Sequence, residues 1–134
     1  MRPVHFEELP PAVQVQLATG GAFLFGMVCG FVLSEGKTGW ILLQLIAAVG
    51  GFLAGFDHAG PRDGAIRGLV GGLLFGLGIL LADAITDKAP VADIPDPLAI
   101  LVVLTTVLGS GLGALGGLVG RRLRAREHDD APTP

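Results

Sequence analysis

Apolar residues run through this chain in four long blocks separated by short polar breaks. The blocks are Leu17 to Leu33, Gly39 to Phe56, Gly68 to Ala82 with an extension to Ile85, and Leu98 to Val119. A helix needs about 20 residues to cross a bilayer, with a range of about 17–25. Each block therefore predicts a membrane helix, over about residues 13–34, 39–57, 63–85 and 98–122. The first, second and fourth blocks contain no charge; the third is bracketed by Arg67 and Asp83. The expected fold class is all-α: a polytopic membrane protein of four transmembrane helices, in a single membrane domain covering residues 1–134. A disordered tail is expected over 127–134, where "EHDDAPTP" is polar and proline-rich.

Small residues are placed at regular intervals inside these blocks. Ala22/Gly26/Gly30, Ala47/Gly51/Gly55, Gly64/Gly68/Gly72/Gly76 and Gly109/Gly113/Gly117 each fall four apart. Four-residue spacing sets residues on one narrow stripe of a helix. In water each such glycine costs a helix about 1 kcal/mol relative to alanine. In lipid the balance differs, because apolar surface gains nothing by leaving an already apolar solvent, and helices associate by close packing of small residues. Gly26, Gly30, Gly51, Gly55, Gly68, Gly72, Gly76, Gly109, Gly113 and Gly117 are therefore the expected helix-packing positions. The stripes suit packing within one chain or between chains. Gly20, Gly21, Gly71 and Gly78 lie off the main stripes of the first and third helices and offer a second face.

The blocks also resemble one another. "ILLQLIAAVGGFLAG" (Ile41 to Gly55) aligns with "ILVVLTTVLGSGLGA" (Ile100 to Ala114) without a gap, and "GGAFLFG" of the first block matches "GGLLFG" of the third. This predicts two similar helical hairpins in the same orientation, related by an axis along the membrane normal.

Composition narrows the class. Of 134 residues, 51% are hydrophobic, 16% charged and 22 are glycine, with a net charge of −3; these proportions suit neither a soluble domain nor a disordered chain. The distribution of charge says more than its sum. Arg2, Arg62, Arg67, Arg121, Arg122, Arg124 and Arg126 flank one side of the predicted bundle, against Lys37 and Lys88 on the other. The positive-inside rule then places both termini and the middle turn in the cytoplasm, for a multi-pass protein of the cytoplasmic (inner) membrane. The leading block is preceded by the acidic "FEELPP" and reads as retained, and "MRPVHFEELPP" offers Val4, Phe6 and Leu9 to the membrane surface. The connection "DAITDKAPVADIPDP" reads as an exposed acidic loop.

Candidate chemistry is sparse. Gln44, Asp83, Thr105 and Thr106 are the polar residues that fall near the small-residue stripes, and they define a candidate polar cavity facing outward. The alternative is that each is satisfied locally, the threonines by their own backbone. No charged residue is expected at the bilayer midplane. The middle turn collects Asp57, His58, Arg62, Asp63 and Arg67, with Asp63 and Arg67 at ion-pair spacing, but the spacing matches no metal motif. The lone Cys29 excludes an intrachain disulfide. There is no phosphate-binding loop and no nucleophile with a partner base, so neither an enzyme nor a bound cofactor or metal is expected. Arg121, Arg122, Arg124 and Arg126 abut the end of a membrane helix and suit anionic lipid head groups rather than nucleic acid.

Glycine-rich hairpins look similar to rotary ATPase proteolipid subunits, but those need a mid-membrane carboxylate that neither Gln44 nor Val103 supplies. The stretch "GGFLAGFDHAGPRDGAIRGLVGGLLFG" (Gly50 to Gly76) instead resembles small four-span, glycine-rich membrane proteins of unknown function, common in halophilic archaea and high-GC bacteria. The resemblance implies four helices and a tight middle turn and carries no site residues. The expected function is that of a structural or accessory integral membrane protein, self-associating or bound to a larger membrane complex, with membrane lipids as further partners. The alternative is a small oligomeric channel or transporter.

Overall fold

The computed structural model describes residues 10–129 and contains four helices: α1 (Pro11–Leu33), α2 (Lys37–Phe56), α3 (Pro61–Ile85) and α4 (Ala99–Asp129). Among the described residues, α2, α3 and the Ala99–Glu127 part of α4 are long and apolar enough to cross a membrane, and α1 carries a shorter apolar stretch, Thr19–Leu33. The expected surface contacts of Val4, Phe6 and Leu9, the position of Arg2, and residues 130–134 of the expected tail lie outside the described residues.

Local chemistry sets the helix ends. Pro11 and Pro61 open α1 and α3 at the first helical turn, where a missing N–H costs nothing and φ is already helical. Asp63 adds a negative charge to the first turn of α3, where the helix dipole favours it. The largest departure from the sequence reading is the end of α4, which continues through "RRLRARE" to Asp129 instead of stopping near residue 122. Arg, Leu, Ala and Glu are good helix formers, and the leading residues of the expected tail, 127–129, are helical.

The helices do not pack as two equivalent hairpins. The α3–α4 interface is the most extensive, followed by α1 on α3 and α2 on α4, while α1 and α2 touch each other least. Thus α3 and α4 form a central antiparallel pair, with α1 lying parallel to α3 and α2 parallel to α4. One end of the bundle carries the α2–α3 turn and the outermost residues of α1 and α4. The other carries the two remaining connections.

These two ends are packed differently. Toward the end with two connections, side chains make the core: Cys29, Leu33, Trp40, Phe75 and Ile79 are buried together, with Phe25, Leu43 and Leu101 against them. The acidic connection is tied down there rather than free. Val91 N–H donates to the Leu33 carbonyl at 3.0 Å, and Ser34 Oγ donates to that of Lys88 at 3.4 Å. Ala92 and Ile94 pack on the core, while Lys37–Asp93 and Lys88–Glu35 ion pairs join the two connections. Toward the other end the packing is backbone on backbone, and glycine makes it.

Candidate functional site

The glycine seam comes first because it positions everything else. A Cβ placed on Gly64 would collide with the Gly113 carbonyl, one on Gly68 with that of Gly109, and one on Gly72 with that of Thr105. Gly76 faces Thr105 and Val102, and Gly117 faces Gly60, with Pro61 Cα 3.2 Å from its virtual Cβ. Gly55 adds α2 to this seam, its virtual Cβ lying 2.6 Å from Gly113 Cα. On the opposite side of α3, Gly26 meets the Phe75 backbone, and Gly30 would bring a Cβ within 2.8 Å of the Ile79 carbonyl oxygen. No glycine among the described residues has a positive φ. Size, not backbone freedom, is what these positions require.

Nine of the ten expected packing glycines thus sit against a neighbouring helix at distances that forbid a side chain. Gly51 does not: its closest neighbour is the Leu112 side chain, 3.9 Å from a virtual Cβ. Four further glycines belong to the seams. Gly64 is the next member of its stripe, Gly78 is cut to the α1 backbone at Phe23 and Met27, and Gly116 and Gly120 are cut to α2 at Phe52 and Phe56. The four-residue spacing of Gly116 and Gly120 was the available signal for this second face of α4.

Because α1 and α2 flank opposite members of the central pair, a partly open cavity of about 430 Å³ remains between the four helices. Its floor is small and apolar, including Gly68, Gly72 and Gly109 from the central pair and Ala47, Ala48, Gly51 and Ala54 from α2. Phe25 and Phe75, whose ring centroids stack 6.0 Å apart, also line it. Gly21, Ile46 and Gly50 form an exposed rim.

The polar lining differs from the expected set. Gln44 and Thr105 are present; Asp83 and Thr106 are not, and Arg67 takes their place. Asp83 stands 22 residues into α3, close to its end, too far along the helix for a cavity at mid-length. Thr106 Oγ1 donates to the Val102 carbonyl at 2.6 Å, and Thr105 Oγ1 to the same oxygen at 3.0 Å. Gln44 Nε2 is buried without a hydrogen-bond partner.

Arg67 is the residue that sequence reasoning left at the helix start. Side chains on a helix ordinarily lean toward its N-terminus. The Arg67 guanidinium instead runs the other way, with Nη1 3.1 Å from where a Cβ on Gly71 would stand. Gly71, one turn further on, leaves the space it occupies. At 1.5 Å per residue Gly71 lies about 15 Å from the start of α3, about half the thickness of a bilayer's hydrocarbon core. Gln44 lies about 18 Å from the end of α2 by the same measure, and Thr105 is level with Gly72. The sequence reading left Arg67 out of the cavity lining, which it joins in the structure. The signal was present in the sequence as an arginine four residues before a glycine.

The remaining candidates are placed as follows. Arg121, Arg122, Arg124 and Arg126 are exposed on the α4 extension. Arg124 turns back to the end of α2, where it donates from Nη1 to the Phe56 carbonyl at 3.2 Å and from Nη2 to the His58 carbonyl. It therefore caps a helix C-terminus, where cations and donors are favourable. His58 Nδ1 is buried without a partner. Among the described residues no three His, Cys, Asp or Glu side chains gather into a metal-sized group. No protein-family model, curated protein or solved structure matches this chain.

Proposed function

We propose that the chain is a non-enzymatic accessory protein of the cytoplasmic membrane, with four spans, both termini in the cytoplasm, and a partner that is itself or a larger membrane complex. On this reading its glycine-lined helices, like those of other small glycine-rich four-span proteins, serve packing rather than catalysis. One observation carries it. The outer face of α4 exposes Leu104, Val107 and Leu115 around Gly111, which has no neighbour within 4 Å. In lipid a glycine is an asset to a helix only where another backbone approaches. Gly109, Gly113, Gly116, Gly117 and Gly120 of α4 are used inside the bundle, whereas Gly111 is a notch on the outside.

Native mass spectrometry after gentle extraction tests the reading. A mass that includes a second copy or another polypeptide is expected, and Gly111→Leu should release it while leaving the monomer folded. Recovery of monomer alone from the wild type sinks the accessory role. Orientation is checked by single cysteines in a Cys29→Ser background. Asp93→Cys should react with an impermeant maleimide from outside, and Asp57→Cys only after permeabilisation.

The mid-depth cavity favours a second reading, a small oligomeric channel or transporter. That reading requires solute or ion flux in reconstituted vesicles, reduced by Gln44→Leu.

A further inference from the structure

We infer that the outer face of α4 docks a transmembrane helix of a different membrane protein, one that carries acidic residues just beyond its span on the side of the α2–α3 turn. The inference rests on the accessory reading above and commits it to a partner other than a second copy.

Helical register puts the notch and a positive charge on one face. Gly111 and Arg122 are eleven residues apart on α4, which is about three turns, so they share a side of the helix. Leu104, Leu115 and Arg126 fall within about 60° of the same line, and all five residues are exposed. The arginines of the extension are not equivalent. Arg124 is spent on the Phe56 and His58 carbonyls at the end of α2. The Arg121 stem lies beside the α2–α3 turn, its Cδ 4.0 Å from where a Cβ on Gly60 would stand. Among the described residues neither Arg122 nor Arg126 has an ion pair, and Glu127 lies about 160° round the helix from Gly111. Like charges four apart disfavour a helix, so an anion supplied from outside the chain would steady this one.

Depth selects protein over lipid. α4 has 31 residues, and a hydrocarbon core of about 30 Å takes about 20 of them from Ala99. The core thus ends near Val119, and Arg126 lies about 10 Å further out. The head-group layer is about 5–8 Å deep on each side, so the Arg126 backbone stands past it. Lipid tails also gain nothing from a glycine notch, whereas an approaching helix does. The occupant that covers both the notch and the two arginines is a helix that continues past the membrane, as α4 itself does.

Charge selects a different chain. Two copies inserted alike have parallel α4 helices. Pairing them at Gly111 would bring Arg122 and Arg126 of one copy toward those of the other, across an interaxial distance of about 8–10 Å. That is comparable with the Debye length of about 8 Å at physiological salt, so the repulsion survives screening. Carboxylates at those positions make the same contact attractive, and a guanidinium can take one in bidentate geometry.

The test places the photo-crosslinker p-benzoylphenylalanine at Leu115 or Ala125 of the full chain, in the cells that naturally produce it. Leu115 flanks the notch, and Ala125 lies between the two arginines. Both positions should capture the same polypeptide, distinct from this chain. Its cross-linked peptides should belong to one membrane span with two or more Asp or Glu just past its end. Arg122→Gln/Arg126→Gln should lower the yield at Ala125 at least tenfold, and Gly111→Leu should lower it at both positions. Circular dichroism and outside labelling of Asp93→Cys, in the Cys29→Ser background, establish that each variant is folded and inserted. If the arginine variant fails that check, the identity of the wild-type adducts still decides. Capture of a second copy would overturn the proposal and leave the accessory reading standing. Lipid adducts alone, different polypeptides at the two positions, a span without acidic residues at its end, or an undiminished Ala125 yield in the folded arginine variant would also overturn it. No adduct at either position, together with a monomeric native mass, would remove both the proposal and the accessory reading.

Discussion

Gly113 and Gly111 are two residues apart on α4 and differ in every respect that matters for packing. A Cβ on Gly113 would lie 2.9 Å from the Gly64 carbonyl carbon and 3.1 Å from Gly68 Cα, and Gly55 closes on Gly113 from a third helix. A Cβ on Gly111 would meet nothing within 4 Å. The Gly64 carbonyl oxygen stands closer still, deep inside van der Waals contact, so Gly113→Ala must part α4 from α3 by at least about 1 Å at this level. A gap of that size forfeits about a quarter to a half of each pairwise attraction along the seam, and overpacking of this kind costs about 1–3 kcal/mol. Gly111→Ala adds a methyl group to open space and should fall within about 0.5 kcal/mol of wild type or stabilise the helix slightly. The comparison is made on the monomer in detergent micelles, by reversible SDS unfolding followed by circular dichroism. Equal stability of the two variants would refute the claim that backbone contact at the seam holds α3 to α4.

Three further outcomes follow from other parts of the bundle. Arg124→Ala removes two hydrogen bonds from the end of α2 and should cost about 0.5–1.5 kcal/mol, whereas Arg126→Ala should fall within about 0.5 kcal/mol of wild type; the same unfolding assay ranks them. Leu33→Ala empties a fully buried position under the acidic connection and should cost about 2–5 kcal/mol. By contrast Lys88→Ala breaks only an exposed ion pair and should cost no more than about 1 kcal/mol, and less in high salt. Cys29 is fully buried, so its alkylation by membrane-permeant N-ethylmaleimide, followed by intact mass, should run about tenfold or more slower in the folded protein than after denaturation.

The helices themselves were legible because a long apolar block with no interior charge has few alternatives to a helix. Pro10, Pro11 and Pro61 then mark two of the starts. The direction in which a glycine faces was harder to read. Gly26 and Gly30 share a stripe and face α3, yet Gly51 and Gly55 share one too, and only Gly55 reaches a backbone. Which helix lies opposite is a tertiary fact, and four-residue spacing is blind to it. The same limit misassigned the polar set. Gln44 and Thr105 stood on readable stripes, but Arg67 joins them only because its side chain runs against the usual lean of helical side chains into the gap above Gly71. Arg124 was read as one basic residue in a row of four, since its role depends on the end of α2, 68 residues earlier in the chain.

The sparse contact between α1 and α2 bears on how the chain is assembled in time. Synthesis delivers the N-terminal half first, and that half is a pair of helices whose chief partners are still inside the ribosome. α1 finds its surface on α3 and α2 finds its own on α4, so neither can dock before the second half has arrived. The first two helices must therefore persist as a loosely associated pair, each with a glycine face still open. Helix formation and helix docking are consequently separate stages for this chain, and the second half acts as the template on which the first is finally arranged.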